Sequence, residues 1–319
     1  MKALITGAPG QLAHYCADFL VNKDYEVVLT YNSTPDDSLD VAQKQLDITN
    51  AESVVNLIAD FKPDEIYNFA GISSPAVCDS LPLDAINTNI MGACNIFEAC
   101  RLLENVNPRI LHASSEYAEG PISLYGLTKA ISSDIGMFYR EKYGLNIYSA
   151  LLPHCESPLR GNSFFLGKLL KWLRGLSSII KEVGVSESDF EFSNNEILVI
   201  YHNEIVFRYP KIRLGNMYNK LSWMTASDAI SMIHHYLDNV DVSAMFTIDR
   251  GLYYTPADIM EKIMLGAGFK QSWGKYYVFD SSISNRSKPV EAKFTVDSLD
   301  VEGNIDSFIS FLLQGFPKL

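Results

Sequence analysis

The sequence lacks a basic excess. Its 26 Lys and Arg stand against 38 Asp and Glu, a net charge of −12. A chain of that sign has no electrostatic footprint for a nucleic-acid backbone. A ligand with a few phosphates stays admissible, because backbone amides and local cations hold such groups. Cysteine is scarce and unpatterned: Cys16, Cys78, Cys94, Cys100 and Cys155 include no CxxC pair and no histidine at zinc-ligand spacing. No metal site is expected, and an odd, scattered set fits a reducing compartment rather than a disulfide framework. Long hydrophobic runs are missing too. The first, Ala3-Leu4-Ile5, ends at Gly7, too short for a signal peptide, and no run of about 18 apolar residues follows. The expectation is a cytoplasmic chain with no membrane partner. Repeats, low-complexity tracts and long linkers are likewise absent, so 319 residues with 47% hydrophobic content form one large domain or two joined ones.

What is present is an alternation. Lys2–Thr6, Glu26–Tyr31, Glu65–Phe69, Arg109–Ala113 and Asn146–Leu152 read as buried strands. Between them, Gln11–Asn22, Ala51–Phe61, Leu83–Leu103 and Tyr125–Tyr143 read as helices. Such alternation implies an α/β fold, a Rossmann-type doubly wound parallel sheet with ligands at the carboxyl ends of its strands. Past residue 152 the rhythm breaks. Phe164–Leu176, Thr225–Leu237 and Thr255–Ala267 read as helices, and ILVIYHNEIVFRY reads as a β-hairpin turning at His202-Asn203. We therefore expect a dinucleotide-binding domain over 1–152, with 214–240 returning to it. A smaller α+β substrate-binding lobe would span 153–319, with an insertion near 177–213. Trp172, Tyr201, Phe207 and Tyr209 are expected in that lobe's core, and His234-His235 in packing and surface roles.

Gly7-Ala8-Pro9-Gly10-Gln11-Leu12-Ala13 follows the first strand and opens the first helix. Gly7 permits the tight turn, Gly10 lets amides approach a pyrophosphate at the helix N-terminus, and Ala13 fills the third small position. Gln11 and Leu12 belong to the same candidate cofactor loop. After the second strand the chain reads Thr30-Tyr31-Asn32-Ser33, with no acid for a ribose 2′-hydroxyl and no Arg for a 2′-phosphate. Thr30 and Asn32 are candidate contacts there. The missing acid tilts the expectation to NADP, with NAD possible. Asp47-Ile48 is placed to contact the adenine, and Asp47 reads equally well as part of a helix cap. Ala70-Gly71 and Pro153, after later strands, complete the candidate cofactor contacts.

Tyr125 and Lys129 lie four residues apart, on one face of a helix. A lysine beside a phenol lowers the phenol's pKa, so that the phenolate can take a hydroxyl proton as hydride leaves. The preceding strand ends in Ala113-Ser114-Ser115-Glu116, where the Ser114 hydroxyl can hold the reacting group beside the tyrosine. Loop, strand end and helix together give a dehydrogenase constellation.

At this point the sequence resembles the sugar-nucleotide dehydratases of the extended short-chain dehydrogenase class, and the GDP-mannose 4,6-dehydratase family most of all. TGAPGQLA is similar to that family's cofactor loop, IYNFAGISSPAVCDSLPLDAINTNIMGACNIFEACR to its third strand and following helix, and ASSE to its catalytic strand end. HCESPLRGNSFFLGK and LGNMYNKLSWMTASD are similar to segments around its nucleotide-sugar pocket. The resemblance implies that Tyr125, Lys129 and Ser114 oxidise C4 of a hexose, and that Glu116 takes the C5 proton and expels the C6 hydroxyl as water. It also implies that Ser115, His154, Glu156, Arg160, Lys168 and Asn216 line the substrate pocket, with Arg286 at the diphosphate. A 4-keto-sugar reductase or epimerase would share Tyr125 and Lys129, so that alternative stays open; a non-catalytic dinucleotide sensor of the same fold is the more distant one, because it would need none of Ser114, Tyr125 and Lys129. The chain also departs from the family: His154 stands for Asn, Leu159 for Arg, and Leu221-Ser222 for an Arg-Asp pair. The basic loop after the second strand is missing, so a homodimer is expected rather than a tetramer.

Overall fold

The computed structural model describes residues 1–121, 123–238, 243–249, 251–281, 283, 305–314 and 316. The chain divides into two compact units. The first holds Met1–Cys155 and the described residues of Met224–Arg250; the second holds Glu156–Trp223 and the described residues from 251 onward.

In the first unit, apolar runs bounded by turn residues make strands buried on both faces, joined at one edge by a short, polar and mostly exposed strand. These are β1 (Lys2–Ala8), β2 (Glu26–Tyr31), β3 (Ala42–Gln45), β4 (Glu65–Asn68), β5 (Arg109–Ala113) and β6 (Ile147–Leu151). With Met245–Thr247 they form one seven-stranded sheet in the order 245–247, β6, β5, β4, β1, β2, β3. Every pairing is parallel. The order reverses between β1 and β4, which is the switch point where such sheets bind ligands. Alternate residues of a strand serve opposite faces. Ala3 and Ile5 pack with Ala13, Ala17 and Leu20 of α1 (Gln11–Val21) and with Ile230 and Ile233 of the helix Ala226–Asp238. Leu4 and Val28 pack instead with Ile58 of α2 (Ala51–Phe61).

Between α2 and β5 lie α3 (Pro75–Ser80), α4 (Pro82–Ile86) and α5 (Gly92–Leu102), and after β5 comes α6 (Leu124–Tyr143). One sequence expectation fails here. Leu83–Leu103 is not a single α-helix: a π-helical turn over Asn87–Met91 separates α4 from α5. The turn leaves Asn89 only 2% exposed, and its amide bonds both backbone groups of Ile72. A side chain at Gly92 would collide with Ile48, so α5 lies close against the end of the β3 connection. α6 starts where Ser123 accepts from the Gly126 amide and stops at Gly144, φ 72°.

The second unit is built on the long helix Phe165–Val183, whose Leu166, Leu169, Leu170, Leu173 and Leu176 enter its core. The helix runs past Leu176, where the sequence reading ended it, because its apolar spacing continues through Ile180 to the C-cap Gly184 at φ 73°. A three-stranded antiparallel sheet follows: Phe190–Phe192, Glu196–Tyr201 and Glu204–Pro210. His202 and Asn203 turn its hairpin with φ of 50° and 64°, the two positive values that a two-residue turn of this kind requires. Trp172 and Tyr209 join the core as expected. Tyr201 and Phe207 do not, being 43% and 42% exposed. They lie at the turn and on an edge strand with a register shift between Ile205 and Phe207, so period-two alternation no longer sends them inward. In the first unit, His234 packs its ring edge on Phe19 and pairs with Asp238 at 3.1 Å.

Candidate active site

The candidate cofactor loop, Gly7 to Ala13, has the shape of a phosphate cradle. Gly7 sits at φ 105°, and a Cβ there would lie 2.8 Å from the Ala70 amide nitrogen. The Gly10 amide donates to Gly7 O at 2.8 Å, and a Cβ on Gly10 would lie 2.7 Å from that oxygen. No side chain caps α1 and its first turn holds no acid, so the amides and the positive end of the helix dipole face the loop's open side. Gln11 is buried and donates to Cys155 O at 2.6 Å, Leu12 is half-buried, and Ala13 is fully buried. The residues therefore fit a dinucleotide pyrophosphate.

Around the cradle, Thr30 is buried and Asn32 exposed, its carbonyl taken by Gln45. Ile48 is buried, with its carbonyl held by Asn95 at 2.9 Å. Asp47 lies in the turn that leads into α2. Its exposed carboxylate accepts from Thr49 N at 2.9 Å and from Thr49 Oγ1 at 2.8 Å, a local turn before Asn50, which caps α2. Gly71 is exposed, and a Cβ on it would stand 3.5 Å from Lys129 Nζ. Pro153 is half-buried beyond β6.

The end of β5 and the start of α6 come together. Lys129 is buried and donates to Ala113 O at 2.8 Å. Burial pulls its ammonium down to about 8, opposed by the nearby Cys78 thiol. Ser114 accepts from Ser133 Oγ at 2.8 Å, and Tyr125 lies one turn before Lys129. Gly126 is required between them, since a side chain there would enter the Tyr117 carbonyl. That contact seats the 3-10 turn Glu116–Ala118 on α6, with Ser115 accepting from the Tyr117 amide. Glu116 is 8% exposed, its amide is held by Leu152 O, and Oε1 lies 2.9 Å from His154 Nδ1.

Sequence reasoning missed a buried polar chain that links the cradle to Lys129. The Ala70 amide donates to Thr6 Oγ1, and Thr6 Oγ1 donates to Asn68 Oδ1 at 2.8 Å. Asn68 Nδ2 meets His112 Nδ1 at 3.2 Å, His112 Nε2 meets Ser132 Oγ at 2.9 Å, and Ser132 donates to Lys129 O. One assignment satisfies every link: a neutral His112 accepting at Nδ1 and donating from Nε2. Burial, and then the Lys129 charge, push His112 well below its ordinary pKa, which keeps it neutral. Asn89 adds a second brace, donating to Thr128 Oγ1 at 3.0 Å. Polar residues inside otherwise apolar strands (Thr6, Asn68, His112) were the available signal.

The remaining candidates belong to the second unit. Glu156, 2% exposed, pairs with Arg160 at 3.4 Å, and the Arg160 guanidinium lies 3.6 Å from the Phe164 ring centre. Lys168 and Asn216 are half-buried, and Asn216 Oδ1 accepts from the Tyr218 amide. Arg286 lies outside the described residues. Among the described residues no three His, Cys, Asp or Glu side chains cluster to hold a metal ion, and no helix is long and apolar enough to cross a membrane.

Comparison with known proteins adds a family. Residues 4–182 match the protein family described as GDP-mannose 4,6 dehydratase. The GDP-mannose 4,6-dehydratase of Vibrio cholerae is 31% identical over 208 residues, 56% of this chain and 55% of that one. The GDP-mannose 4,6 dehydratase of Drosophila melanogaster is 29% identical over 261 residues, 72% of this chain and 58% of that one. The chain thus spans a little over half the length of these curated relatives. Among solved structures, the dTDP-glucose 4,6-dehydratase of Bacillus anthracis, in complex with NAD, superposes with a TM-score of 0.70 at 15% identity, covering 99% of this chain and 97% of that one. That likeness carries the fold, a Rossmann-like α/β sheet.

Proposed function

The chain belongs to the GDP-mannose 4,6-dehydratase family, and from that premise we propose that it is a sugar-nucleotide 4,6-dehydratase using a nicotinamide dinucleotide. The observation that carries the reading is the carboxylate of Glu116, buried two residues beyond Ser114 on the strand end that also anchors Lys129. A simple dehydrogenase needs the serine, tyrosine and lysine; loss of water across C5–C6 needs a further acid/base group.

In this reading Ser114 holds the C4 hydroxyl of the hexose and Tyr125 takes its proton. Lys129, kept beside the site by Ala113 O, favours the phenolate by charge. The bound nicotinamide supplies hydride acceptance and return. The C4 ketone acidifies the C5 proton; Glu116 takes it and protonates the departing C6 hydroxyl. The product is a 4-keto-6-deoxy sugar, with no net consumption of cofactor.

The cradle of Gly7, Gly10, Gln11 and Leu12 would hold the pyrophosphate, with Thr30, Asn32, Asp47 and Ile48 toward the adenosine and Ala70, Gly71 and Pro153 toward the nicotinamide. NADP is the proposed form, because no acid directly follows β2 to repel a 2′-phosphate. The unit beginning at Glu156 would bind the nucleotide sugar, with Arg160 and Lys168 suited to its phosphates. Five free thiols agree with a cytoplasmic location. A homodimer is supported by apolar side chains on the outward side of α6, where Leu127, Ile131 and Phe138 are 44%, 36% and 53% exposed.

The test is incubation with GDP-mannose and oxidised cofactor. A dehydratase yields a product lighter by one water, without added reduced cofactor. A reductase or epimerase yields none.

A further inference from the structure

The carboxylate assigned to water loss does not stand alone. His154 Nδ1 lies 2.9 Å from Glu116 Oε1, and His154 Nε2 lies 3.2 Å from the Tyr117 hydroxyl. Tyr117 in turn packs edge-on to the Tyr125 ring, at 6.0 Å between centres. All four residues belong to the first unit. Glu116, at 8% exposure, and the half-buried His154 ring have little access to water that could take over these contacts.

We propose that His154 is the positioning residue for Glu116, a role that rests on the dehydratase reading above. Three features of the arrangement support it. A glutamate carries three side-chain torsions, and the His154 contact at Oε1 restrains the carboxylate while leaving Oε2 for the substrate. The ring is fixed in turn at its far nitrogen by a phenol, a group that both donates and accepts. With a contact at each nitrogen, the ring is held in one orientation. The contact also ties the dehydration base, through Tyr117, to the wall of the oxidising phenol, so that both groups address one sugar ring.

In the step concerned, the C5–H bond breaks. Its proton goes to Glu116, and its electron pair moves into the C4 carbonyl. The C6–O bond then breaks as that pair returns to form the C5–C6 double bond, and the proton on Glu116 joins the departing hydroxyl as water. His154 forms no bond in this sequence. It keeps the accepting oxygen within reach at both proton transfers.

The test compares His154→Leu with His154→Asn, whose amide N–H stands where Nδ1 does. Each is assayed on GDP-mannose with oxidised cofactor. A misplaced catalytic group costs on the order of 10²-fold in rate. We expect His154→Leu to lower kcat for the 6-deoxy product by about that factor, with KM and the first-turnover burst of reduced cofactor unchanged. His154→Asn should restore most of the rate. Circular dichroism and cofactor affinity equal to wild type keep the comparison free of misfolding. The proposal is overturned if His154→Leu retains wild-type kcat, if it weakens KM and the C4 burst as much as product formation, or if Asn rescues nothing. Wild-type protein that forms no 6-deoxy product removes the dehydratase reading, and this proposal with it, a failure visible before any variant is made.

Discussion

The strands that end in Ala70-Gly71 and Ser114–Glu116 are held at their opposite ends by an ion pair between a buried carboxylate and a partly exposed guanidinium, and its removal has a calculable cost. Glu65 opens β4 with its side chain 1% exposed, and the Arg109 guanidinium, opening β5, bonds both that carboxylate and the Leu237 carbonyl. The Tyr67 hydroxyl donates to the other carboxylate oxygen at 2.7 Å. Arg109 also reaches Asp238 at 3.4 Å, but that acid is half exposed. A screened surface pair contributes about 0–1 kcal/mol, whereas breaking a buried pair costs about 3–5 kcal/mol because a charge is left uncompensated. Arg109→Met should therefore destabilise the protein by about 3–5 kcal/mol, nearly all of it through Glu65. Adding Glu65→Gln removes the stranded charge while still accepting from Tyr67, so the double variant should regain about 1–3 kcal/mol. Urea unfolding followed by circular dichroism gives both numbers as midpoint shifts at constant slope. A single-variant loss under about 1 kcal/mol, or a double variant less stable than the single, would refute the argument.

Two further outcomes follow from the same geometry. Gly10→Glu places a carboxylate where the loop closes on Gly7 O and where phosphate would sit, so calorimetry should detect no NADP or NAD binding; wild-type affinity would move the cofactor elsewhere. Phe138→Asp at the most exposed position of the apolar stripe of α6 should shift a micromolar sample from dimer to monomer mass in light scattering, and an unchanged dimer would place the interface on another face.

Much of the first unit was legible because its central strands are mainly apolar runs and its helices carry one apolar stripe each. β2, β5 and α2 fall where periodicity puts them, since their boundaries are marked by polar caps and turns such as Asn50 and Lys62. The π turn at Asn87–Met91 was not legible. Periodicity averages over a turn, and the reason for the break is the amide of Asn89 seeking Ile72, a long-range contact. The Thr6–Asn68–His112–Ser132 chain was hidden for the same reason: each residue looks like an isolated polar substitution until the strands lie side by side. Motif spacing brought Ser114, Tyr125 and Lys129 to notice, but nothing local in the sequence joins Glu116 to His154, 38 residues apart. The exposed Tyr201 and Phe207 show the opposite error, where hydrophobicity was read as burial at a hairpin turn and on an edge strand.

The central claim, dehydration rather than simple redox chemistry, is tested most directly by single-turnover kinetics on Glu116→Gln and Tyr125→Phe. GDP-mannose is mixed with each protein carrying oxidised cofactor, absorbance is followed at the reduced-nicotinamide band, and products are weighed by mass spectrometry. Removing an acid/base group costs ~10²–10⁴ in rate. Glu116→Gln should still raise the reduced-nicotinamide signal yet form little product lighter by one water, while Tyr125→Phe should raise no signal at all. Dehydrated product at the wild-type rate from Glu116→Gln would contradict the account.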